Sequence, residues 1–174
     1  MKRLYALLVI LIILYIGINV GANNLNLTGS DANVANDTGT VELGDSGFPK
    51  LDNFTDTKVN DTAMNYVDSN NMTISVNKID NGQDISSIAG NTYNSGGFTS
   101  NQTIDQNGVT TYFLYREGVD SYDSDIYFNI NNQNYLISGN GISYENSDYF
   151  INHCKSIIDA LNNNNNDSGK LSRW

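Results

Sequence analysis

The residues of this sequence that could support nucleophilic chemistry are His153 and Cys154. A cysteine becomes a nucleophile when an imidazole reaches its thiol and removes the proton. Neighbouring helix positions point about 100° apart, so the two side chains diverge if this segment is a helix. Cys154 also falls on an apolar stripe, where a free cysteine packs as a small hydrophobe. We therefore predict that Cys154 is a core residue rather than a nucleophile.

A cluster of carboxylates is the second candidate for chemistry. Asp120, Asp123 and Asp125 crowd the segment 118–125, which its composition predicts to be a loop. Calcium takes about six to eight oxygen ligands, and this segment offers several. It lacks the spacing of an EF-hand, the glycine at its centre and the glutamate at its end, so we interpret it as a solvated loop. The same interpretation applies to a sparser group around Gly82, which comprises Asp80, Asn81 and Asp84.

Paired carboxylates also define a hypothesis of catalysis. Glu117 and Asp120 are candidates for the acid and the base of a hydrolase or transferase that acts on envelope glycans. No motif for a metal, a nucleotide or a cofactor accompanies them. We predict a non-enzymatic protein without a cofactor or a bound metal, and the glycan-acting enzyme is an alternative.

Tyrosines crowd the region that we predict to form a sheet. Tyr112 and Tyr127 stand next to Phe113 and Phe128, which alternation assigns to the core, so the two tyrosines face the opposite side. Exposed tyrosines stack on sugars or bind a partner protein. We predict Tyr112 and Tyr127 to be exposed binding residues for an envelope protein or glycan. The alternative is cross-strand pairing on the second face of the sheet.

Motifs for N-glycosylation recur along the chain. Several are expected by chance in a sequence so rich in Asn, Ser and Thr, whereas a host that glycosylates its exported proteins would use them. A structural spacer in a glycosylated surface coat is therefore another alternative function. The candidate acceptors are Asn26, Asn36, Asn53, Asn60, Asn71 and Asn101, and a further motif lies at Asn166.

The N-terminal segment predicts export. Lys2 and Arg3 precede an apolar run over residues 4–20, after which the sequence turns polar. At about 1.5 Å per residue, a helix of this length just spans a hydrocarbon core, which favours an uncleaved anchor. Small residues up to Ala22 also fit a signal peptide that is cleaved there. In both cases the basic N-terminus stays in the cytoplasm and the remainder is extracellular, either tethered to the cell membrane or secreted.

Charge and composition divide the rest of the chain. The formal net charge is −10, which disfavours nucleic acid as a partner. Residues 23–50 are too poor in apolar side chains to offset their ordering entropy, so we predict a disordered stalk. The Asn-rich residues 162–174 predict a disordered tail. Residues 51–161 are long enough for one extracytoplasmic domain with a modest core.

Apolar periodicity predicts several strands in this domain. Segments 72–77 and 126–130 alternate apolar and polar residues as half-buried strands do. Asn107-Gly108 predicts a tight hairpin between 103–104 and 109–115, because this pair adopts positive φ angles at low cost. Shorter strands are predicted at 63–67 and 135–137, and we expect Gly139 and Gly141 to end the sheet.

Two helices are predicted as well. Asp84 can cap a short helix, and a longer one is expected from about Ser147 to Leu161. Apolar residues of the longer helix fall on one stripe, namely Phe150, Cys154, Ile157, Ile158 and Leu161. We therefore predict an α+β fold, with an antiparallel sheet of about five to six strands covered by a C-terminal amphipathic helix.

This order of elements resembles the PsbP-like fold, an α/β sandwich of small exported proteins. The positions that carry the resemblance are residues 64–79, Thr103 to Tyr115, and Phe150 to Leu161. In composition and layout the chain is also similar to the small, Asn-rich envelope proteins of methanogenic archaea. The PsbP-like resemblance implies an accessory or assembly factor rather than an enzyme, and neither resemblance supplies catalytic residues.

Overall fold

The computed structural model describes residues 40–43 and 46–168. The predicted membrane segment 4–20, the cleavage position at Ala22, most of the stalk, the sequons at Asn26 and Asn36 and the end of the tail lie outside these residues. Within the described part of the chain, no helix has both the length and the apolar character needed to cross a membrane.

The described part contains nine strands and two α-helices. In chain order they are β1 (Thr40–Leu43), β2 (Ser46–Pro49), β3 (Phe54–Asn60), β4 (Ala63–Asp68), β5 (Thr73–Ile79), α1 (Ile85–Asn94), β6 (Ser100–Gln106), β7 (Val109–Glu117), β8 (Ser121–Ile130), β9 (Gln133–Ser143) and α2 (Ser147–Ser168). A short 3-10 turn, Tyr144–Asn146, joins β9 to α2.

Seven of these strands form one antiparallel sheet in the order β3-β4-β5-β9-β8-β7-β6, and β1 and β2 form a separate hairpin. The α+β class and the antiparallel sheet are thus confirmed. The sheet is larger than the predicted five to six strands because β3 is an additional edge strand. Five of its seven side chains are exposed and only Phe54 and Val59 are apolar, so the strand gives no apolar alternation to recognise.

The main core lies between the first face of the sheet and α2. The stripe predicted for α2 is confirmed, since Phe150 and Ile157 are fully buried and Cys154 and Leu161 are 1 % exposed. The Phe150 ring lies so close to Gly139 of β9 that a Cβ atom there would be 2.5 Å from it. A side chain at position 139 is therefore incompatible with this packing. The expected end of the sheet at Gly139 and Gly141 is wrong, because β9 continues to Ser143 through a local change of register.

A smaller core lies on the second face of the sheet, beneath α1. Asp84 caps α1 as predicted, its Oδ2 accepting a hydrogen bond from the backbone N–H of Ser87 at 3.2 Å. Ile85 and Ala89 of the helix pack against Leu114 and Tyr127 of the sheet. The single covering helix of the prediction was therefore incomplete, because both faces of β7 and β8 are buried.

The predicted disordered stalk (residues 23–50) and the predicted disordered tail (residues 162–174) both include residues that are ordered in the structure. The end of the stalk is the β1–β2 hairpin, and Phe48 is fully buried with its ring edge-on to Tyr135 at 6.2 Å between centroids. One buried phenylalanine in a polar segment has no periodicity, so composition alone suggested disorder. At the other end, α2 continues past Leu161 to Ser168 and includes the whole Asn run 162–166.

Candidate binding groove beside α1

The second face of the sheet is only partly covered. α1 packs over β7 and β8. On the neighbouring strands, small polar side chains such as Asn65, Ser75 and Ser138 share this face and remain half-buried. The face thus changes from an apolar half beneath α1 to a polar half beside it.

One cross-strand row illustrates the polar half. Consecutive register partners place Thr57 of β3, Asn65 of β4, Ser75 of β5, Ser138 of β9 and Asp125 of β8 side by side. Adjacent strands are about 4.8 Å apart, so the row offers a hydrogen-bonding group at each such step across the sheet. Except for Asp125, these groups are uncharged.

The boundary between the two halves contains a cavity of about 370 Å³. Its lining is mainly apolar and comes from α1, β5, β8, β9 and the loop before α1, namely Ile79, Asp80, Gln83, Ile88, Tyr127 and Leu136. A second cavity of about 440 Å³ shares Gln83 and has a polar lining that includes Asn81, Asn129 and Asn132. Both volumes are in the range of small-molecule sites. We call the apolar cavity, together with Ser75, Ser138 and Asp125, the α1 groove.

Asp125 is the most constrained polar group of the α1 groove. Its Oδ1 accepts a hydrogen bond from the Ser138 hydroxyl at 2.6 Å, and its Oδ2 accepts one from the Tyr127 hydroxyl at 3.3 Å. Burial raises the pKa of the Asp125 carboxyl, and the two hydrogen bonds oppose this shift only in part. Burial likewise raises the pKa of the Tyr127 hydroxyl, which lies 3.3 Å from Thr92 Oγ1 on α1.

The neighbouring Asp123 has the opposite environment. The Arg116 guanidinium donates a hydrogen bond to its Oδ2 at 2.5 Å, and the backbone N–H of Gly141 donates one to its Oδ1 at 2.8 Å. Both contacts lower the pKa of the Asp123 carboxyl, and the contact with Arg116 has the larger effect. Asp123 is therefore held as a paired carboxylate, whereas Asp125 bears a charge that its surroundings disfavour.

Asn134 fixes the loop that forms one wall of the α1 groove. It is 2 % exposed, and its Nδ2 donates hydrogen bonds to the carbonyls of Asp80 and Gln83, each at 3.0 Å. Its backbone N–H donates to Asn81 Oδ1 at 2.7 Å. The group around Gly82 thus has a structural role, with Asn81 binding the sheet and Asp84 capping α1.

The predicted binding tyrosines lie on the expected face but are not exposed. Tyr112 and Tyr127 are register partners opposite the side of Phe113 and Phe128. Tyr127 is only 5 % exposed and Tyr112 is half-buried, because α1 packs over both. The expected exposure was wrong for Tyr127, whose ring is not accessible to a large partner, whereas Tyr112 remains partly exposed. Tyr127 nevertheless lines the cavity of the α1 groove.

The candidate carboxylates of residues 117–125 lie in different elements of the fold. β8 begins at Ser121, so Asp123 and Asp125 belong to a strand and only Asp120 stays in the turn. Glu117 and Asp120 are exposed near this turn, and neither lines the two cavities described above. Among the described residues, no group of three or more His, Cys, Asp or Glu side chains is arranged to hold a metal ion.

His153 and Cys154 diverge on α2. The imidazole packs against Phe54 and Tyr149, and its Nδ1 donates to the Tyr149 carbonyl at 2.7 Å. Cys154 is in the core, where burial raises the pKa of its thiol. The prediction that Cys154 packs as a core residue is confirmed.

The described sequons are all accessible. Asn53, Asn60, Asn71 and Asn101 are exposed. Asn60 Oδ1 accepts hydrogen bonds from both the backbone N–H and the hydroxyl of Thr62, at 2.8 and 2.9 Å. The side chain of Asn166 is outside the described part.

The α1 groove was missed at the sequence level, although one signal for it was present. Since Ile126 and Phe128 point to one face, alternation places Asp125 and Tyr127 together on the other. The partner Ser138 is contributed by a different strand, and only the register of β8 with β9 brings it to Asp125.

No protein-family model matches this sequence, and no curated protein matches it at significant similarity.

Proposed function

We propose that this protein is a membrane-tethered, non-enzymatic module of the cell envelope that binds a neutral glycan in the α1 groove. The observation that carries the proposal is the boundary between the apolar cavity and the polar row on one sheet face. A sugar has the same division, since its C–H faces are apolar and its hydroxyls donate and accept hydrogen bonds. Ligand sites commonly combine an apolar lining with a few placed polar groups.

The charge of the groove favours a neutral ligand over an anionic one. Asp80 lines the cavity and Asp125 lies beside it in the polar row, so the groove has two carboxylates. The nearby cationic side chain of Arg116 is paired with Asp123. The chain as a whole carries −10. An acidic polymer would be repelled, whereas hydroxyl groups can donate to Asp125 and exchange hydrogen bonds with Ser75 and Ser138.

The tether in this proposal is the apolar segment 4–20, with Lys2 and Arg3 on the cytoplasmic side. Such an arrangement places the domain outside the cell, close to the membrane and within reach of envelope components. Cleavage after Ala22 would give a secreted protein with the same groove. Sequencing the N-terminus of the native protein distinguishes the two forms.

Binding can be tested with the full chain in detergent and neutral oligosaccharides released from the native envelope. Ser75→Arg places a long side chain on the open face beside the cavity, so we expect calorimetry to show affinity weakened by about tenfold or more. Asn91→Arg, on an exposed position of α1, adds the same charge away from the groove and should leave the affinity unchanged. Equal binding by both variants, or no binding by the wild type, would contradict the proposal.

The exposed sequons favour a second candidate function, a spacer in a glycosylated surface coat. Each described sequon is accessible to a transferase, as this function requires. Mass spectrometry of the native protein should then find glycans at Asn53, Asn60, Asn71 and Asn101. Unmodified asparagines at all of these positions would exclude this alternative.

A further inference from the structure

The two edges of the seven-stranded sheet are built differently. β3 has a register irregularity between Lys58 and Asn60, and Lys58 forms an ion pair with Asp61 at 2.7 Å. A bulge and a lysine are common devices that prevent an edge strand from pairing with another chain. β3 is therefore protected against such pairing.

β6 lacks these devices. Its register with β7 is continuous from Ser100 to Gln106, and it contains no lysine, arginine or proline. Among the described strands it pairs on one side only. Its edge thus offers a regular row of backbone donors and acceptors seven residues long.

The turn between β6 and β7 determines which residues of β6 direct their backbone donors and acceptors away from β7. Asn107 and Gly108 have φ angles of +51° and +83° and form a two-residue turn between Gln106 and Val109. In such a hairpin the flanking pair exchanges hydrogen bonds, and every second pair along the ladder does so too. Asp105, Thr103 and Asn101 therefore direct their backbone groups away from β7. Their side chains are exposed.

From this geometry we infer that β6 pairs with β6 of a second copy, antiparallel and centred on Thr103. A two-fold axis at Thr103 sets Thr103 opposite its own copy and Asn101 opposite Asp105. The outward backbone groups of all three residues are then matched in hydrogen-bonded pairs. The only charge of the strand meets an amide rather than a second carboxylate, so the sequence of β6 is self-complementary.

Cysteine cross-linking tests this pairing at the level of single positions. The two residues of a hydrogen-bonded pair on neighbouring antiparallel strands have Cα atoms about 5.5 Å apart, within reach of a disulfide. Under mild oxidation, the full chain with Thr103→Cys should therefore form a covalent dimer. Thr57→Cys is the matched control, because Thr57 is also an exposed threonine on an edge strand. Cys154, the one native cysteine, is 1 % exposed and should not react.

The register is tested by mixing two variants. Asn101→Cys and Asp105→Cys should form a disulfide with each other and far less with themselves, because like positions lie about four residues apart in the proposed pairing. Adding Thr103→Pro to both should reduce this cross-link severalfold, since proline removes an outward N–H. Association through the N-terminal segment alone would not make cross-linking depend on the position of the cysteine in β6, so these experiments distinguish it from the proposed pairing.

These experiments use protein from a host without N-glycosylation, so that Asn101 is unmodified. Cross-linking of Thr103→Cys no greater than that of Thr57→Cys would overturn the inference. Equal cross-linking of Asn101→Cys with itself and with Asp105→Cys would also overturn the register.

Discussion

The Tyr127 hydroxyl lies 3.3 Å from Asp125 Oδ2 at the place where the covered half of the second sheet face meets its open half. The same hydroxyl lies 3.3 Å from Thr92 Oγ1, so Tyr127 joins the carboxylate of the sheet to α1. This contact couples the position of α1 to the polar part of the α1 groove. Burial raises the pKa of Asp125, and the hydrogen bond from Tyr127 opposes part of that rise.

The first prediction concerns Asp125 and pH. Because the folded protein raises the pKa of this carboxyl above its ordinary 3.8, the folded state binds more protons than the unfolded state just above that pH. Stability should therefore fall as pH rises from about 4 through the raised pKa. Asp125→Asn should remove this decline and increase the free energy of unfolding at pH 7. Urea denaturation across pH 3–8 provides the measurement.

For Asp123 we predict the opposite dependence of stability on pH. Arg116 lowers its pKa below 3.8, so the stabilisation is present above that value and is lost as pH falls through the lowered pKa. Asp123→Asn should destabilise the protein at pH 7 and flatten the acid side of its stability profile. Identical profiles for the two Asn variants would show that their environments do not differ as described.

The second prediction concerns the contact of β9 with α2. Gly139→Ala forces a Cβ to within 2.5 Å of the Phe150 ring and should cost about 1–3 kcal/mol in unfolding free energy. Gly90→Ala is the control, since beyond the backbone of α1 itself no atom lies within 4 Å of its Cβ position. Helix propensity predicts that this control stabilises the protein by up to about 1 kcal/mol. Equal effects of the two changes would contradict the close packing.

The third prediction tests whether the β1–β2 segment is a hairpin packed on the core or part of a disordered stalk. Phe48 is fully buried, so Phe48→Ala should destabilise the protein by about 3–5 kcal/mol. Val59→Ala, at a position 55 % exposed, should change the stability by less than about 0.5 kcal/mol. If both variants unfold at the same urea concentration as the wild type, Phe48 is not part of the core.

Local patterns predicted the elements whose periodicity is complete. The stripe of α2, the cap at Asp84 and the Asn107-Gly108 turn each depend on neighbours in sequence, and each is present in the structure. Phe48 and the edge strand β3 were missed because their contacts are tertiary and leave no local period. The run Thr111 to Tyr115 could have indicated a strand buried on both faces, since continuous apolar sequence is typical of such strands.

The candidate site was harder to predict than the fold. Tyr127 was identified from alternation, but its burial depends on α1, which approaches from elsewhere in the chain. Ser138 and Asp125 meet only through the register of two strands. A sequence pattern shows which face a residue occupies and does not show what covers that face.

The fourth prediction concerns the wall of the α1 groove. Asn134→Ala leaves the carbonyls of Asp80 and Gln83 without their donor, at a cost of about 1–3 kcal/mol for each group that stays buried. We also expect weaker glycan binding, because Asp80 and Gln83 line the cavity. Asn129→Ala is a control that removes only the hydrogen bond to Asn134 Oδ1, and it should retain most of the affinity. If Asn134→Ala binds the glycan as tightly as the wild type, the loop before α1 is not part of the binding site.

The most direct test of the binding proposal is an NMR titration of the full chain in detergent with neutral envelope oligosaccharides. We predict that the backbone amides of Ser75, Leu136 and Ser138 shift together and report a single affinity. Residues of α2 on the other side of the sheet should not respond. Shifts confined to α2 or to β6, or no shifts at saturating ligand, would contradict the assignment of the α1 groove as the binding site.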